Sequence, residues 1–317
     1  KGTEPIHSTN PCSEYVFLNN TACNLASLNL MKFKQPDGVF DADRFKAAVR
    51  IFITAQEIIV DAGSYPTKEI ADNSHIYRTL GLGYANLGSL IMSYGLAYDS
   101  DAGRALAGAI TSIMTGHSYE QSAEIAAHVG PFPGYRDARC AHVPKPLKKD
   151  NVAAMLGVIQ QHRNAVESIQ ASEEFGPLKE EARRCWDRAL AQGRRHGYRN
   201  AQVTVLAPTG TIAFLMDCDT TGVEPDMALV KYKLLAGGGM LKIVNRTVPD
   251  ALQRLAYAEA NIKKIIEHIA QHDTIEDVTL EDGTLQRSGL KAEHLSVFDC
   301  AFKPYRGLRS ISFQAHL

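Results

Sequence analysis

The chain has almost no net charge. Its 317 residues carry 34 Lys and Arg against 35 Asp and Glu, a formal charge of −1. A polyanion-binding or membrane-surface protein shows a one-signed excess, so this balance leaves no electrostatic footprint for nucleic acid or anionic lipid. Arg183-Arg184 and Arg194-Arg195-His196 are local clusters on apparent helices, and solvated helix faces account for them. Cysteine is sparse: six residues, at positions 12, 23, 140, 185, 218 and 300, are too few to staple a chain of this size. No signal peptide and no long apolar run is present. The expected location is therefore the cytoplasm, where thiols stay reduced and a redox pair is catalytic, not structural. No internal repeat and no clear domain linker is visible. Metal and dinucleotide motifs are missing as well. His268 and His272 stand four apart without the adjacent glutamate of a zinc protease and read as exposed helix residues. Asp217-Cys218-Asp219 has no second ligand cluster at zinc spacing. Gly81-x-Gly83 followed by Gly88 lacks dinucleotide spacing, and Gly237-Gly238-Gly239 has no P-loop lysine. No metal is expected.

What the chain does have is concentrated near its start. Asn10-Pro11-Cys12-Ser13-Glu14 places an amide, a thiol and a carboxylate at i, i+2 and i+4. Pro11 fixes its own φ and pushes Asn10 away from the α region. The window thus predicts extended backbone, in which Asn10, Cys12 and Glu14 share a face. A hydrogen-bonding group, a nucleophilic or one-electron sulfur and a potential base are then aimed at one small volume. Cys23 follows in Thr21-Ala22-Cys23-Asn24-Leu25. Taken singly, each has a plainer reading: Cys12 as a small buried hydrophobe, Glu14 as a solvent-facing strand residue, Asn10 as a turn residue before proline.

Hydrophobic residues make up 45% of the chain, enough for one large domain or two ordinary ones. Residues 12–18 and 22–30 read as strands around a turn at Asn19-Asn20. A tight hairpin there sets Cys23 opposite Val16, so a Cys12–Cys23 pair is not expected. Helical periodicity covers 43–61, ended by Gly63, then 75–94 and 101–128. Residues 130–150, rich in proline and glycine, read as a surface loop. Helices resume at 151–170 and 177–196, and a short strand at 202–206 runs into Ala207-Pro208-Thr209-Gly210. Residues 249–271 read as helix and 273–287 as a hairpin turning at Asp282-Gly283. Alternating strands and helices predict an α/β fold. Pro208-Thr209-Gly210-Thr211-Ile212 opens a helical turn after a strand. Free N–H groups and the helix dipole suit an anion there, and Gly210 allows close approach. A plain strand-to-helix turn is the alternative.

The window from Asn10 to Glu14 resembles the active-site segment of ribonucleotide reductase large subunits. The likeness continues in order along the chain. Thr21-Ala22-Cys23-Asn24-Leu25-Ala26-Ser27-Leu28-Asn29-Leu30 is similar to a second segment of that family, and Arg78-Thr79-Leu80-Gly81-Leu82-Gly83 to a third. Ala207-Pro208-Thr209-Gly210-Thr211-Ile212 and Gly222-Val223-Glu224-Pro225 resemble its phosphate loop and the stretch beyond. The wording Asn-Pro-Cys-Ser-Glu with Pro-Thr-Gly-Thr-Ile is closest to the adenosylcobalamin-dependent (class II) branch. The resemblance implies part of a ten-stranded α/β barrel with the catalytic cysteine on a central finger loop. Residues 1–317 are then the C-terminal portion of the catalytic barrel domain, incomplete at both ends.

It also implies chemistry, that of a vitamin B12-dependent ribonucleoside-diphosphate reductase in the parent protein. Cys12 becomes a thiyl radical and takes the 3′ hydrogen of a ribonucleotide, a nearly reversible step because the S–H and ribose C–H bonds are of comparable strength. Glu14 is the general base on the 3′ hydroxyl, help of the kind typically worth ~10²–10⁴-fold, and Asn10 holds the ribose hydroxyls through its amide. Cys23 is one half of a reducing dithiol whose partner lies upstream. Substrate contacts are implied at Asn10, Pro11, Cys12, Ser13 and Glu14, and at Pro208, Thr209, Gly210, Thr211 and Ile212. Cys140, Cys185, Cys218 and Cys300 read as structural. The implied partners are a ribonucleoside diphosphate or triphosphate, a thioredoxin-type reductant and a second copy in a homodimer. Two rival readings stand beside this one. The first is a class I catalytic subunit that imports its radical from a second subunit; the second is an inactive nucleotide-binding fragment.

Overall fold

A computed structural model describes residues 5–136, 151–234 and 237–316. Its first regular element is the strand β1, Asn24–Asn29. Helix α1, Ala42–Ala62, starts where the Asp41 carboxylate accepts the Arg44 N–H at 2.9 Å and ends as the Gly63 N–H returns to Ile59. Its period buries Phe45, Val49, Ile53 and Val60. Each such side chain contributes roughly 1.5–3 kcal/mol by leaving water. Helix α2, Lys68–Tyr77, is capped by Thr67 and stops at Arg78, whose φ of 51° cannot continue it. Strand β2, Leu80–Ala85, then pairs with β1, and α3, Leu87–Ser93, follows. The long helix α4, Asp101–Val129, precedes α5, Asn151–Ala165, and α6, Gly176–His196. Next come α7, Gly210–Leu215, and the antiparallel pair β3, Val230–Leu234, and β4, Met240–Val244. The chain closes with α8, Val248–Arg254, α9, Glu259–His272, and the hairpin β5, Val278–Thr279, with β6, Leu285–Gln286.

These elements form two compact units, each gathered from separated stretches. One holds Lys1–Leu28, Val39–Tyr84 and Ala105–Pro208; the other holds Asn29–Gly38, Ala85–Arg104 and Thr209–Leu317. In the first, the Tyr84 hydroxyl meets Thr111 at 2.7 Å, joining β2 to α4, and Trp186 Nε1 donates to Ser112 at 2.9 Å, joining α6 to α4. In the second, Met92, Leu229, Val248, Leu252, Ile262, Ile265 and Phe298 belong to one apolar cluster. The α/β class holds. Among the described residues the sheets are three separate two-stranded pairs, and no closed barrel forms. No described helix is long and apolar enough to cross a membrane.

Several expectations are corrected. Residues 12–18 form no strand, and β1 pairs with β2 instead of with them. The stretch 75–94 is not one helix. Leu80–Ala85 is buried throughout, and a strand covered on both faces loses its alternation and imitates a helical apolar run. The helix expected over 249–271 breaks at 255–258, where Ala256 has a φ of 61°. Pairing of β3 with β4 went unforeseen. Residues 202–206 are extended, as expected, and lie parallel to β2. Leu80 donates to Gln202, Leu82 to Val203, and Val205 back to Leu82. His268 and His272 are buried, not exposed, with His268 Nε2 at 2.7 Å from the Glu276 carbonyl. Residues 137–150 of the expected loop, and Cys140 with them, lie outside the described residues.

One carboxylate organises the first unit. Glu57 on α1 accepts Arg78 Nε, Arg199 Nε and Asn200 Nδ2, each at 2.6 Å, and Asn200 also donates to the Arg78 carbonyl at 2.9 Å. Glu57 and Arg78 are buried. Removing Glu57 takes the carboxylate from half-buried Arg199 and the acceptor from buried Asn200, and leaves buried Arg78 with Asp61 alone. Glu57→Ala should therefore cost about 3–5 kcal/mol in denaturant unfolding, whereas Asp72→Ala, which opens the exposed Lys68–Asp72 pair, should cost less than about 1 kcal/mol.

Candidate active site

The Asn10–Glu14 window is a turn, not a strand. The Asn10 carbonyl accepts the Ser13 N–H at 3.0 Å, and Ser13 sits at a φ of 64°. The Asn10 side-chain oxygen accepts the Tyr15 N–H at 2.9 Å, while the Asn10 N–H donates back to the Tyr15 carbonyl. The predicted shared face therefore does not exist, because alternation applies only to extended backbone. What the turn does instead is separate the two groups. Cys12 is exposed at its tip. Glu14 is half-buried; its Oε2 is enclosed without a hydrogen-bond partner, at the wall of a cavity of about 700 Å³ shared with Thr111, Thr115, His162, Trp186 and Thr204.

Cys23 lies at the end of Thr21-Ala22-Cys23, just before β1. Burial, and then the negative charge of Glu14, push its thiol up to about 12. Glu14 and Cys23 are thus brought into electrostatic contact, although nothing in their spacing announced it. Tyr15 follows Glu14 in the chain. Its hydroxyl lies 2.9 Å from both Thr21 Oγ1 and Thr79 Oγ1, and burial pushes it up to about 12. Cys12 and Cys23 are both free thiols, and the hairpin expected to set Cys23 opposite Val16 does not form.

The Pro208-to-Ile212 segment runs from the end of the first unit into the second. Within the second, Thr209 opens α7 in the left-handed region, at a φ of 56° unusual for a β-branched residue. Its Oγ1 accepts the Gly222 N–H at 2.7 Å. The first helical bond is Ala213 N–H to the Thr209 carbonyl, so the N–H groups of Gly210, Thr211 and Ile212 have no acceptor within the helix. A Cβ at Gly210 meets nothing within 4 Å. The turn after α7 is fixed by buried Asn86, whose Oδ1 accepts the N–H groups of Asp219 and Thr220 at 3.1 Å. That role of Asn86 carried no sequence signal.

The discounted glycines have a packing reason. Cβ atoms would meet Cys23 Sγ at Gly81, the Val205 carbonyl at Gly83 and the Glu224 carbonyl at Gly88. Cys185 and Cys300 are buried, and burial raises both thiols; Cys218 is half-buried and raised to about 11, first by burial and then by Asp219. His117, Glu120 and Cys185 present ligand atoms within 4.8 Å of one another. Arg188 already supplies the cation there, with Nε at 2.7 Å from Glu120 and Nη2 at 3.4 Å from Cys185 Sγ.

Comparison with known proteins agrees with the segment likenesses. The family model described as "Ribonucleotide reductase, barrel domain" matches residues 1–316. A protein of Rhodopirellula baltica named vitamin B12-dependent ribonucleotide reductase is 55% identical over 314 residues, covering 98% of this chain and 28% of that protein. One of the same name from Streptomyces clavuligerus is 49% identical, over 98% of this chain and 30% of that protein. A vitamin B12-dependent ribonucleoside-diphosphate reductase of Mycobacterium tuberculosis is 26% identical, over 76% of this chain and 27% of that protein. The chain thus spans under a third of the length of these relatives.

The thiolate is the form that alkylates. A thiol raised to about 12 should react with iodoacetamide at pH 8 at least about a hundredfold more slowly than free cysteine. Glu14→Gln removes the repelling charge and should speed labelling of Cys23. Mass-spectrometric labelling kinetics check both; a Cys23 that labels like free cysteine contradicts the geometry.

Proposed function

The chain belongs to the ribonucleotide reductase barrel-domain family, and on that premise we propose that its parent protein reduces ribonucleotides to 2′-deoxyribonucleotides by thiyl-radical chemistry, with adenosylcobalamin as cofactor. The observation that carries the reading is the unlike environment of the two sulfurs: Cys12 exposed on a turn, Cys23 sheltered beside Glu14. Two different jobs need two different sites. The hydrogen-atom carrier has to meet both a radical source and the substrate. The electron donor has to stay a protonated thiol until it is oxidised. The names of the relatives favour the cobalamin branch over the class I reading.

The exposed Cys12 thiol is the feature of this chain that fits a cofactor as bulky as adenosylcobalamin, since a buried sulfur could not be approached. When bound, adenosylcobalamin supplies the organic radical that one-electron chemistry at a thiol requires. The remaining work falls to the chain. Cys12 takes and later returns the 3′ hydrogen. Glu14, with an unpartnered oxygen at a cavity wall, takes the 3′ hydroxyl proton. Asn10 orients the ribose hydroxyls, although one lone pair of its side-chain oxygen is engaged with Tyr15. Cys23 and a second cysteine outside this chain give two electrons and two protons and become a disulfide. The 2′ oxygen leaves as water. The open first turn of α7, with Pro208 before it, holds the phosphates.

We assign the substrate as a ribonucleoside diphosphate or triphosphate, the reductant as a thioredoxin-type dithiol, the assembly as a homodimer and the location as the cytoplasm. Residues 1–317 are read as the C-terminal portion of a ten-stranded barrel domain, with Cys12 on its finger loop.

Full-length parent with adenosylcobalamin, a dithiol and no second protein should reduce ribonucleotides. Cys12→Ala should abolish turnover with substrate affinity within about threefold; retained turnover rejects the radical role. Activity that appears only with a metal-containing partner subunit moves the assignment to class I. Gly210→Val adds a Cβ that meets nothing within 4 Å, yet should raise the KM about tenfold or more; an unchanged KM rejects the phosphate assignment.

A further inference from the structure

Gly81 is not among the residues with positive φ, so its backbone does not demand glycine. A glycine inside a strand is unfavourable and marks a close approach. The approach here is that of a sulfur. A Cβ at Gly81 would lie 2.6 Å from Cys23 Sγ, 2.7 Å from Leu25 Cδ2 and 3.0 Å from Val205 Cγ2. No side chain larger than hydrogen fits while Cys23 stays where it is.

A second device acts from the other side. The Tyr15 hydroxyl lies 2.9 Å from Thr21 Oγ1 and from Thr79 Oγ1, and Thr79 Oγ1 donates at 2.7 Å to the Ala22 carbonyl, in the peptide that leads into Cys23. One phenol therefore ties together the segment carrying Glu14, the segment carrying Cys23 and the start of the strand carrying Gly81. We infer that Gly81 and Tyr15 are positioning residues for the Cys23 thiol, Gly81 by leaving the hollow the sulfur fills and Tyr15 by clasping that sulfur's segment to Glu14's.

The inference rests on the reading of Cys23 as a redox thiol. In that reading each turnover breaks two S–H bonds and forms one S–S bond. Two electrons and two protons pass to the ribonucleotide, which loses its 2′ oxygen as water, and an external dithiol then restores both thiols. A disulfide tolerates little displacement of either sulfur, so a shift of Cys23 by a fraction of an ångström should fall on this step and not on substrate binding.

The test uses full-length parent with adenosylcobalamin and a thioredoxin-type dithiol. Gly81→Ala should lower steady-state kcat about tenfold or more with KM within about threefold, and should change the Cys23 alkylation rate at fixed pH by about threefold or more. Tyr15→Phe, which removes one oxygen and keeps the ring, should act in the same direction and carries the test alone if Gly81→Ala does not fold. Folded variants with unchanged kcat and unchanged alkylation overturn the inference. So does a rise in KM matching the fall in kcat, which marks general damage. Cys23→Ser separates the two claims. Normal steady-state turnover in that variant rejects the redox reading, while altered Cys23 alkylation in Gly81→Ala still supports the positioning.

Discussion

The first unit hangs on the Glu57 carboxylate. It draws Arg78, Arg199 and Asn200 to one point on α1. Arg78 is the left-handed residue that turns the chain from α2 into β2, and Asn200 is tied to its carbonyl. The parallel contact between β2 and residues 202–206 begins within two residues of this knot. The knot thus determines where Thr79 and Gly81 lie, and those residues touch the segment carrying Cys23. A buried charge so placed contributes little net stability against an apolar alternative, but it selects one register of chain for another.

Selection of register has a chemical meaning here. Cys12 and Cys23 stand eleven positions apart in sequence and in opposite surroundings. The turn closed by Asn10 lifts one sulfur into the open, and β2 with its missing side chain encloses the other. Burial and the Glu14 charge both disfavour the Cys23 thiolate, so this sulfur favours its protonated form. Glu14 serves two ends in this arrangement: one oxygen faces a cavity, and its charge holds a neighbouring proton in place.

Much of this was legible in the residues, and the failures have physical causes. Helix α1 was readable because its apolar period faces a core and Gly63 ends it, while its start one residue earlier is set by the Asp41 cap. The Asp282-Gly283 turn was readable because Gly283 takes a φ of 84°. Strand β2 was hidden because a strand covered on both faces shows no alternation. The turn at Asn10 was misread because Pro11 constrains only itself and its predecessor; the decisive contact is the Asn10 side chain reaching Tyr15, which no local rule registers. The window's residues were recognised while their geometry was not. Gly81 was seen and dismissed, since spacing can show that a glycine is not a nucleotide loop but cannot show which atom needs its room.

The interleaving of the two units constrains how the chain can be made. Neither unit is a contiguous stretch: β1 ends where one hands over to the other, and the chain passes between them repeatedly before residue 209. The contact of Leu82 with Thr204 closes only after α4, α5 and α6 have been synthesised. Such distant pairings slow folding, because loop closure must precede its reward. Until then β2, with its wholly apolar faces, is an exposed edge of the kind that invites aggregation. Production of this chain should therefore be governed by the speed of synthesis and by chaperone supply more than by final stability.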